Sequence, residues 1–384
     1  MKIRIGVIFG GKSVEHEISI VTAIQAMEQI DHEKYDVVPI YITKDLVWYT
    51  GGCLRYIDSF KDYDLLKRYA KKVNLINKDG RFILQSTGLF KREIDYIDLA
   101  FPLVHGRGTE DGSLQGYLEV TGVPYIGSDV YSSAVGQDKV FMKQILEANN
   151  INVVKYTWFT NDDYAKNKEE IFQKINEMHY PLILKPSSLG SSVGIEVVKQ
   201  KEELDAAIDR VLKYDDKAMV EELLSDIREF NCGVLKSNGR IQVSTVEEIL
   251  NDKDYRKYSD KFIWDNDDNA VVKRVFPADI SSKLEEEIKK TSQDTFRILN
   301  NSGVARIDFL YDNKAKKLYV DEINTIPNFL THHMWGELNI TYKTLIDLLI
   351  TDTINKFKRR DTMNLTIDSD ILKKITSKNI RELK

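Results

Sequence analysis

Ala305-Arg-Ile-Asp-Phe309 and Asp321-Glu-Ile-Asn-Thr325 are two stretches in which apolar and polar residues alternate. Alternation with a period of two predicts strands with one apolar and one polar face. Asp312-Asn313 lies between the two stretches and predicts the turn of a hairpin. A mixed or antiparallel sheet with a polar face is therefore expected in this part of the chain.

Four polar side chains of this hairpin suggest its chemistry. Side chains two residues apart on a strand share a face, so Arg306 lies beside Asp308, and Glu322 lies beside Asn324. Carboxylate and amide oxygens are ligands that Mg²⁺ accepts, usually together with substrate phosphates. The hairpin therefore predicts a magnesium–nucleotide site. A ladder of ion pairs on a solvated sheet face is the alternative, because opposite charges also pair well across strands.

A loop of small residues, Lys185-Pro-Ser-Ser-Leu-Gly-Ser-Ser-Val-Gly194, follows a predicted strand at 181–185. Glycines let backbone amides approach an anion closely, and a lysine on the strand adds positive charge. The lysine precedes the glycines, so the pattern is not G-x-x-x-x-G-K-[ST]. An ordinary flexible loop is the alternative. Lys139, taken alone, is typical of a surface lysine.

The beginning of the chain predicts an α/β unit. Apolar strands at 3–9 and 36–42 flank an apolar-periodic helix at 19–30, which indicates a parallel βαβ arrangement. A polar stretch at 53–95 predicts an insertion. The strand predicted at 97–104 ends in the loop 105–112, at the edge where open α/β sheets bind ligands. Further strands are predicted at 241–249, 304–311 and 317–324. We expect an N-terminal α/β domain at 1–137, a central subdomain at 138–225, a C-terminal subdomain at 226–356 and a basic tail at 357–384.

Length and composition exclude several classes of protein. A chain of 384 residues exceeds what one hydrophobic core usually supports, so two or three domains are expected. A net charge of -5 provides no broad basic field, which argues against a nucleic-acid partner. No apolar run approaches the roughly 18 residues that a membrane helix needs, so no membrane partner is expected. Cys53 and Cys232 form no zinc or redox motif and are expected to be free thiols in a reducing cytoplasm.

Four segments, in this order, resemble the signatures of the D-alanine–D-alanine ligase family within the ATP-grasp superfamily: Phe9-Gly-Gly-Lys-Ser-Val-Glu-His-Glu-Ile-Ser19, 105–112, 185–194 and Glu322-Ile-Asn-Thr-Ile-Pro327. The resemblance extends over about residues 3–350. It implies an α/β and α+β fold, in which an N-terminal parallel α/β domain precedes two α+β subdomains that hold ATP between them. It also implies a cytoplasmic, ADP-forming ligase of peptidoglycan precursor synthesis, which joins two D-alanine molecules through an acyl phosphate. A homodimer is compatible with this family.

The resemblance also implies roles for individual residues. Lys139 and Lys185 would contact the nucleotide's phosphates, and Glu222 and Glu229 would face its nucleoside. Lys261 would be the nucleotide-binding lysine of a mobile loop that closes the site. Asp308, Glu322 and Asn324 would hold two Mg²⁺ ions, with Mn²⁺ as an alternative. Glu15 would receive the ammonium group of the first amino acid, and His105 would line the substrate site. Ser191 and Tyr258 would close the site with Glu15, and Arg306 would stabilise a tetrahedral oxyanion.

The segment that follows the metal motif departs from the family pattern. Asn328 replaces a typical glycine and His333 a typical serine, at two positions that usually hold the second substrate's carboxylate. Asn tolerates positive φ, whereas exchanging a hydroxyl for an imidazole changes size and hydrogen-bond geometry. A ligase that uses a different second amino acid or a hydroxy acid is therefore an alternative function. A nucleotide-binding protein without catalysis is another, and a dehydrogenase is disfavoured because no G-x-G-x-x-G follows the first strand.

Overall fold

The computed structural model describes residues 2–250, 273–360, 362–364 and 366–375. Two of the predicted site residues, Tyr258 and Lys261, lie outside the described residues. Within these ranges, no helix is long and apolar enough to cross a membrane.

The N-terminal sheet has seven strands in the order β6-β5-β4-β3-β2-β1-β7. The strands are β1 (Ile3–Gly10), β2 (Tyr35–Ile42), β3 (Trp48–Thr50), β4 (Lys71–Lys78), β5 (Arg81–Ser86), β6 (Glu93–Ile97) and β7 (Leu99–Pro102). β1 pairs in parallel with β2 and β7, which confirms the predicted βαβ unit. The pairs from β2 to β6 are antiparallel, so the sheet is mixed.

Helices and short 3₁₀ turns accompany this sheet. They are α1 (His16–Gln29), α2 (Tyr63–Tyr69), α3 (Ser113–Thr121) and α4 (Val130–Gln137), with 3₁₀ turns at Gly52–Arg55 and Ile57–Phe60. α1 buries Ile20, Ala23 and Met27 at helical spacing, and these residues join the same core as the apolar β1. Glu15 lies directly before the first residue of α1. Because α1 packs on the sheet, it fixes the loop that carries Glu15 beside the edge of the sheet.

The central domain has a four-stranded sheet in the order β10-β9-β11-β8. Its elements are β8 (Tyr156–Thr160), α6 (Asn161–Asn176), β9 (Leu182–Pro186), β10 (Glu196–Val198), a 3₁₀ turn (Lys201–Glu203), α7 (Leu204–Val211) and β11 (Lys217–Glu222). All pairs are antiparallel. Thr160 and Asp163 form a capping box that starts α6 directly after β8.

The C-terminal sheet has the order β15-β14-β12-β16-β17, with β13 paired to β12. Its elements are β12 (Ile227–Ser237), β13 (Arg240–Val243), β14 (Glu247–Ile249), β15 (Arg274–Val275), α8 (Ser282–Ile298), β16 (Val304–Asp312) and β17 (Lys317–Asn324). The predicted hairpin is confirmed: Arg306 lies opposite Asn324 and Asp308 opposite Glu322, with an irregularity directly after Asp308.

Two helices pack across the expected domain limits. α5 (Lys139–Ala148) inserts Met142 and Leu146 into the core of the C-terminal sheet. After a 3₁₀ segment at Asn328–Leu338, α9 (Tyr342–Arg360) packs Leu345 and Leu349 into the core of the N-terminal sheet, and it runs past the predicted boundary at 356. A short helix, α10 (Ile371–Lys374), follows.

Candidate active site

A cleft lies between the central and C-terminal sheets and is closed at one end by loops of the N-terminal domain. It encloses about 280 Å³. Twelve of the predicted site residues line it, namely Glu15, His105, Lys139, Lys185, Ser191, Glu222, Glu229, Arg306, Asp308, Glu322, Asn324 and Asn328. His333 is the one predicted residue in the described part of the chain that does not line this cleft.

The floor of the cleft on the C-terminal side is the polar face of the β16–β17 hairpin. Arg306 donates two hydrogen bonds to Asp308, Nε to Oδ1 at 2.6 Å and Nη2 to Oδ2 at 2.7 Å. Asn324 Nδ2 also donates to Asp308 Oδ2, at 3.2 Å. Burial alone would lower the pKa of the Arg306 guanidinium, but the charge of Asp308 holds that pKa above its ordinary value. The ion pair proposed as an alternative therefore exists, although it lines a cleft and not a solvated face.

The chemistry of the hairpin's donors fits a magnesium ion. Among the residues described, no cluster of three or more His, Cys, Asp or Glu side chains is arranged to hold a metal by itself. The hairpin instead offers the carboxylates of Asp308 and Glu322 at facing positions, with the Asn324 amide beside them. Two hard carboxylates and one amide suit an ion that shares its remaining positions with water and phosphate. These three residues would hold the ion.

Two lysines project from opposite sides of the cleft. Lys139 begins α5, which Asp138 caps, and its ammonium group contacts Glu322 Oε2 at 3.1 Å and donates to the Leu189 carbonyl at 2.9 Å. Only 7% of Lys139 is exposed, so the surface interpretation is wrong. Lys185, on β9, is equally buried. Both cations therefore face the cleft with little competition from water, where an anionic ligand would feel their charge strongly.

Lys185 belongs to a buried cluster of two lysines and two carboxylates. Lys185 Nζ lies 2.7 Å from Glu221 Oε2 and 3.1 Å from Asp321 Oδ1. Lys143 Nζ lies 2.7 Å from Glu221 Oε1 and 3.9 Å from Asp321 Oδ1. Burial opposes charge on Lys185, but Asp321 and Glu221 together raise its pKa well above the ordinary value. Lys185 therefore carries its positive charge near neutral pH.

The loop after β9 brings Ser191 to Glu15. Ser191 and Ser192 adopt left-handed backbone angles, with φ of 56° and 58°, and Ser191 Oγ donates to Glu15 Oε1. The loop 105–112 also comes close to Glu15. A Cβ added at Gly106 would lie 2.5 Å from Ser13 Oγ and 2.9 Å from Glu15 Oε2, so only glycine lets that loop approach Ser13 and Glu15. The loop after β9 is itself tied down by Asp215, which accepts from the Ser188 amide at 2.7 Å. The loop after β9 is therefore held by hydrogen bonds from Ser188 and Ser191, which conflicts with the alternative of an ordinary flexible loop.

Glu110 and His105 form a buried polar layer between the N-terminal loop and the segment after β17. Glu110 accepts hydrogen bonds from the Gly106 amide at 3.0 Å and the Ile326 amide at 2.9 Å. Burial, reinforced by the charge of Glu15, raises the pKa of Glu110 to about 7. Burial lowers the pKa of His105 to about 4, so its imidazole is neutral at pH 7.

Glu222 and Glu229 lie at the other end of the cleft. Glu222 contacts Lys155 Nζ at 3.2 Å and accepts from the His179 amide at 3.1 Å. Hydrogen bonds from His179 and Lys155 lower the pKa of Glu222 although burial would raise it. Apolar residues surround this end, namely Val154, Ile183, Leu223, Leu224, Ile227, Ile249, Phe309 and Leu310. An apolar end with two carboxylates suits a flat heterocycle with hydroxyl or amino donors.

The departures at Asn328 and His333 have different structural outcomes. Asn328 lines the cleft, but its own φ is not positive; the left-handed angles of 52°, 50° and 50° belong to Phe329, Leu330 and Thr331. The tolerance of Asn for positive φ is therefore not used at this position. His333 Nε2 lies 2.9 Å from Glu247 Oε1, a carboxylate whose side chain is only 2% exposed. Glu247 holds the imidazole outside the cleft lining.

Several residues of the site were not predicted from sequence. They are Glu110, Lys143, Glu221, Asn231, Glu247, Arg274 and Asp321. Glu110 stands inside the predicted ligand loop, and Asp321 directly before the metal motif, so proximity to a motif was a usable signal for both. No motif surrounds three of the other residues: Glu221 and Glu247 lie on strands, and Lys143 lies on a helix. Only their ion pairs with residues of other segments mark them as part of the site.

Comparison with known proteins agrees with this geometry. Residues 4–128 match the family model of the D-ala D-ala ligase N-terminus, and residues 145–351 match that of the D-ala D-ala ligase C-terminus. The chain is 39% identical over 373 residues to the D-alanine–D-alanine ligase of Thermosipho melanesiensis, covering 97% of this chain and 98% of the relative. It is 40% identical over 370 residues to that of Thermosipho africanus, covering 96% and 98%.

Solved structures show the same likeness. The D-alanine-D-alanine ligase from Coxiella burnetii superposes with a TM-score of 0.80 at 31% identity, covering 94% of this chain and 96% of that one. The VanG D-Ala:D-Ser ligase from Enterococcus faecalis gives 0.78 at 30% identity, covering 92% and 100%.

Two sheets that face each other across a cleft of lysines and carboxylates define the chain as an ATP-grasp enzyme, an ATP-dependent ligase. Within that class, the chain belongs to the D-alanine–D-alanine ligase family.

Proposed function

We propose that this protein joins two molecules of D-alanine, with conversion of ATP to ADP and phosphate, to supply a peptidoglycan precursor. The observation that carries the proposal is one cleft in which two buried lysines, a carboxylate hairpin and Glu15 converge. The cations suit phosphates, and the anions suit a metal and an ammonium group. The full-length likeness to D-alanine–D-alanine ligases supports the same substrate pair.

The first step transfers a phosphoryl group. A carboxylate oxygen of the first D-alanine attacks the γ-phosphorus of ATP, the bond to the bridging oxygen breaks, and an acyl phosphate and ADP result. Lys139 and Lys185 would position the phosphates and offset their charge, which is the main protein contribution to such transfers. When bound at Asp308, Glu322 and Asn324, magnesium would add charge neutralisation at the phosphate oxygens.

The second step forms the amide bond. The amine of the second D-alanine attacks the acyl carbon, the bond from that carbon to the phosphate oxygen breaks, and phosphate leaves with the electron pair and accepts the proton that the nitrogen loses. Arg306 lies on the hairpin with its guanidinium oriented by Asp308, so it would face the oxyanion of the tetrahedral intermediate. Glu15, oriented by Ser191, would receive the ammonium group of the first amino acid. Neither step needs a covalent enzyme nucleophile.

Product analysis tests the proposal. The protein is incubated with ATP, magnesium and D-alanine, and the products are identified by mass spectrometry together with ADP release. We expect D-alanyl-D-alanine as the main product, with one ADP for each dipeptide. ATP turnover that never yields a dipeptide would contradict the proposal, and the lack of any turnover would favour a binding protein without catalysis.

Glu322→Ala tests the metal assignment. Loss of this carboxylate removes one of the two carboxylate donors to the ion, so we expect ADP release to fall by about a hundredfold or more. Glu287→Ala, an exposed glutamate on α8, serves as the matched control and should retain wild-type activity. Equal activity of the two variants would refute the assignment.

A ligase for a different second substrate is the competing function. His333 and its partner Glu247 stand beside the cleft-lining residues Asn231 and Arg274, and the fold is also shared with a D-Ala:D-Ser ligase. Equimolar D-alanine, D-serine and D-lactate, offered together with ATP, separate the two functions by product mass. His333→Ser should shift the product ratio, whereas the neighbouring His332→Ser, whose ring stacks on Tyr342 at 4.5 Å between centroids, should not.

We also propose that the reaction takes place in the cytoplasm and that the protein forms a homodimer. The location is supported by Cys53 and Cys232, which are both free thiols, with Cys232 fully buried. Size-exclusion chromatography with light scattering would test the dimer.

A further inference from the structure

Lys143 is a buried cation behind the cleft, and nothing in the sequence singles it out. Its side chain is 0% exposed, and its partner Glu221 is 2% exposed. Glu221, Lys185 and Asp321 line the cleft, whereas Lys143 does not. A lysine seldom loses all contact with water unless a charge partner compensates it, so this position calls for a reason.

The four charges are contributed by two different structural units. Lys185 and Glu221 lie on paired strands of the central sheet. Asp321 lies on β17 of the C-terminal sheet, and Lys143 lies on α5, which packs into the core of that same sheet. Two of the three short ion pairs therefore cross from one unit to the other, Lys143 to Glu221 and Asp321 to Lys185. The third, Lys185 to Glu221, stays within the central sheet.

The charge count at the cleft depends on Lys143. Glu221 and Asp321 carry two negative charges, and Lys185 carries one positive charge. Without Lys143, the groups that line this wall would have a net charge of −1 and would repel a polyphosphate. Because Glu221 shares its two oxygens between the lysines, Lys143 at Oε1 and Lys185 at Oε2, the second lysine makes the cluster neutral.

We propose that Lys143 is a positioning residue for nucleotide binding: it neutralises Glu221 from behind and so leaves the charge of Lys185 available to the phosphates of ATP. The inference rests on the proposed function, since it takes ATP as the ligand of the cleft. It assigns to Lys143 a role that requires no contact with substrate.

Equilibrium binding of ATP with magnesium, measured by titration calorimetry, tests this role. Lys143→Met should weaken ATP binding at least tenfold. Adenosine, measured by competition with ATP, lacks the phosphates and should bind the variant within about twofold of wild type. In kinetics the KM for ATP should rise more than kcat falls. A merely structural defect would weaken both ligands alike.

The double variant Lys143→Met with Glu221→Gln separates charge from packing. It removes one charge of each sign, so the cluster stays neutral, and ATP affinity should return to within about threefold of wild type. Lys356→Met is the matched control. Lys356 is also largely buried, on α9, and its ammonium group has no hydrogen-bond partner in the described part of the chain. This control should leave ATP affinity unchanged.

Each outcome decides the inference. Wild-type protein that fails to bind ATP would overturn the proposed function, and with it this role. If wild type binds ATP and Lys143→Met binds it equally well, only the role of Lys143 is overturned. A double variant that stays as weak as the single one would also overturn it. If Lys143→Met does not fold, the double variant, which buries no unpaired charge from this pair, is measured alone, and an ATP affinity more than threefold below that of wild type overturns the role.

Discussion

Replacement of Glu110 by glutamine should change how the stability of the protein depends on pH. Glu110 is buried between the Gly106 and Ile326 amides, and burial together with the charge of Glu15 raises its pKa from 4.5 to about 7. A carboxyl whose pKa rises on folding holds its proton more tightly in the folded state. The wild-type protein therefore loses stability as the pH rises from 4.5 to about 7, and the loss is complete above that value.

The size of the effect follows from the interval between the two pKa values. An interval from 4.5 to about 7 corresponds to about 3 kcal/mol. Glutamine cannot ionise, so Glu110→Gln should gain about 3 kcal/mol relative to wild type between pH 4.5 and 7.5. The amide also loses the hydrogen bond from Gly106, but that penalty is the same at every pH and leaves the slope unchanged.

Urea unfolding at four pH values between 4.5 and 7.5, at constant ionic strength, measures this difference. The exposed Glu287→Gln serves as a control for the general loss of one carboxylate, and its stability should run parallel to that of wild type. A difference between Glu110→Gln and wild type that is the same at every pH would refute the reasoning, since it would mean that Glu110 ionises as freely in the fold as in water.

Three further substitutions test the packing, and a fourth tests an ion pair. Gly136→Ala on α4 would place a Cβ 2.8 Å from the Thr325 methyl group and should lower the free energy of unfolding by about 1–3 kcal/mol. Gly116→Ala on α3 meets nothing within 4 Å and should raise the free energy of unfolding by up to about 1 kcal/mol. Thermal midpoints that move in the same direction would contradict this. Ile288→Ala, fully buried on α8, should cost about 2–5 kcal/mol in urea unfolding, and a cost below 1 kcal/mol would show that the site collapses. Arg107→Met removes the guanidinium that donates to the buried Asp215 at 2.7 Å. Because the arginine is half exposed, the free energy of unfolding should fall by only about 1 kcal/mol. This loss should shrink at high salt, and an equal loss at low and high salt would count against an ionic origin.

The parts of the fold that local patterns encode were predictable. The hairpin was predicted at 304–311 and 317–324 and is observed at Val304–Asp312 and Lys317–Asn324. This prediction was possible because alternation of apolar and polar residues indicates a strand with one polar face. The opening βαβ unit was predicted for a similar reason, since strands buried on both faces are continuously apolar.

Other features depend on contacts between distant segments. The stretch at 53–95 was predicted to be an insertion because it is polar. In the structure it extends the N-terminal sheet at one edge by antiparallel pairing. The predicted strand at 241–249 is interrupted, since Ser244 to Val246 separate β13 from β14. The packing of α9 into the N-terminal core has no local signature.

The candidate site shows the same division. Residues within motifs, such as Lys185, Asp308 and Glu322, were found from sequence and line the cleft. His333 was predicted as a substrate contact because of its position, but its direction is set by Glu247, which is 86 residues away. A side chain's partner across the fold decides where it points, and a motif does not contain that partner.

The division of the cleft between two sheets has a thermodynamic consequence. A molecule held by side chains of both sheets binds only when both are folded, so its binding free energy is added to the stability of each. Without such a molecule, the four-stranded and the C-terminal sheets can melt as separate units, each with its own core. At saturating ligand concentration the two transitions should merge into one at a higher temperature, so that occupancy of the cleft makes the two units a single cooperative one.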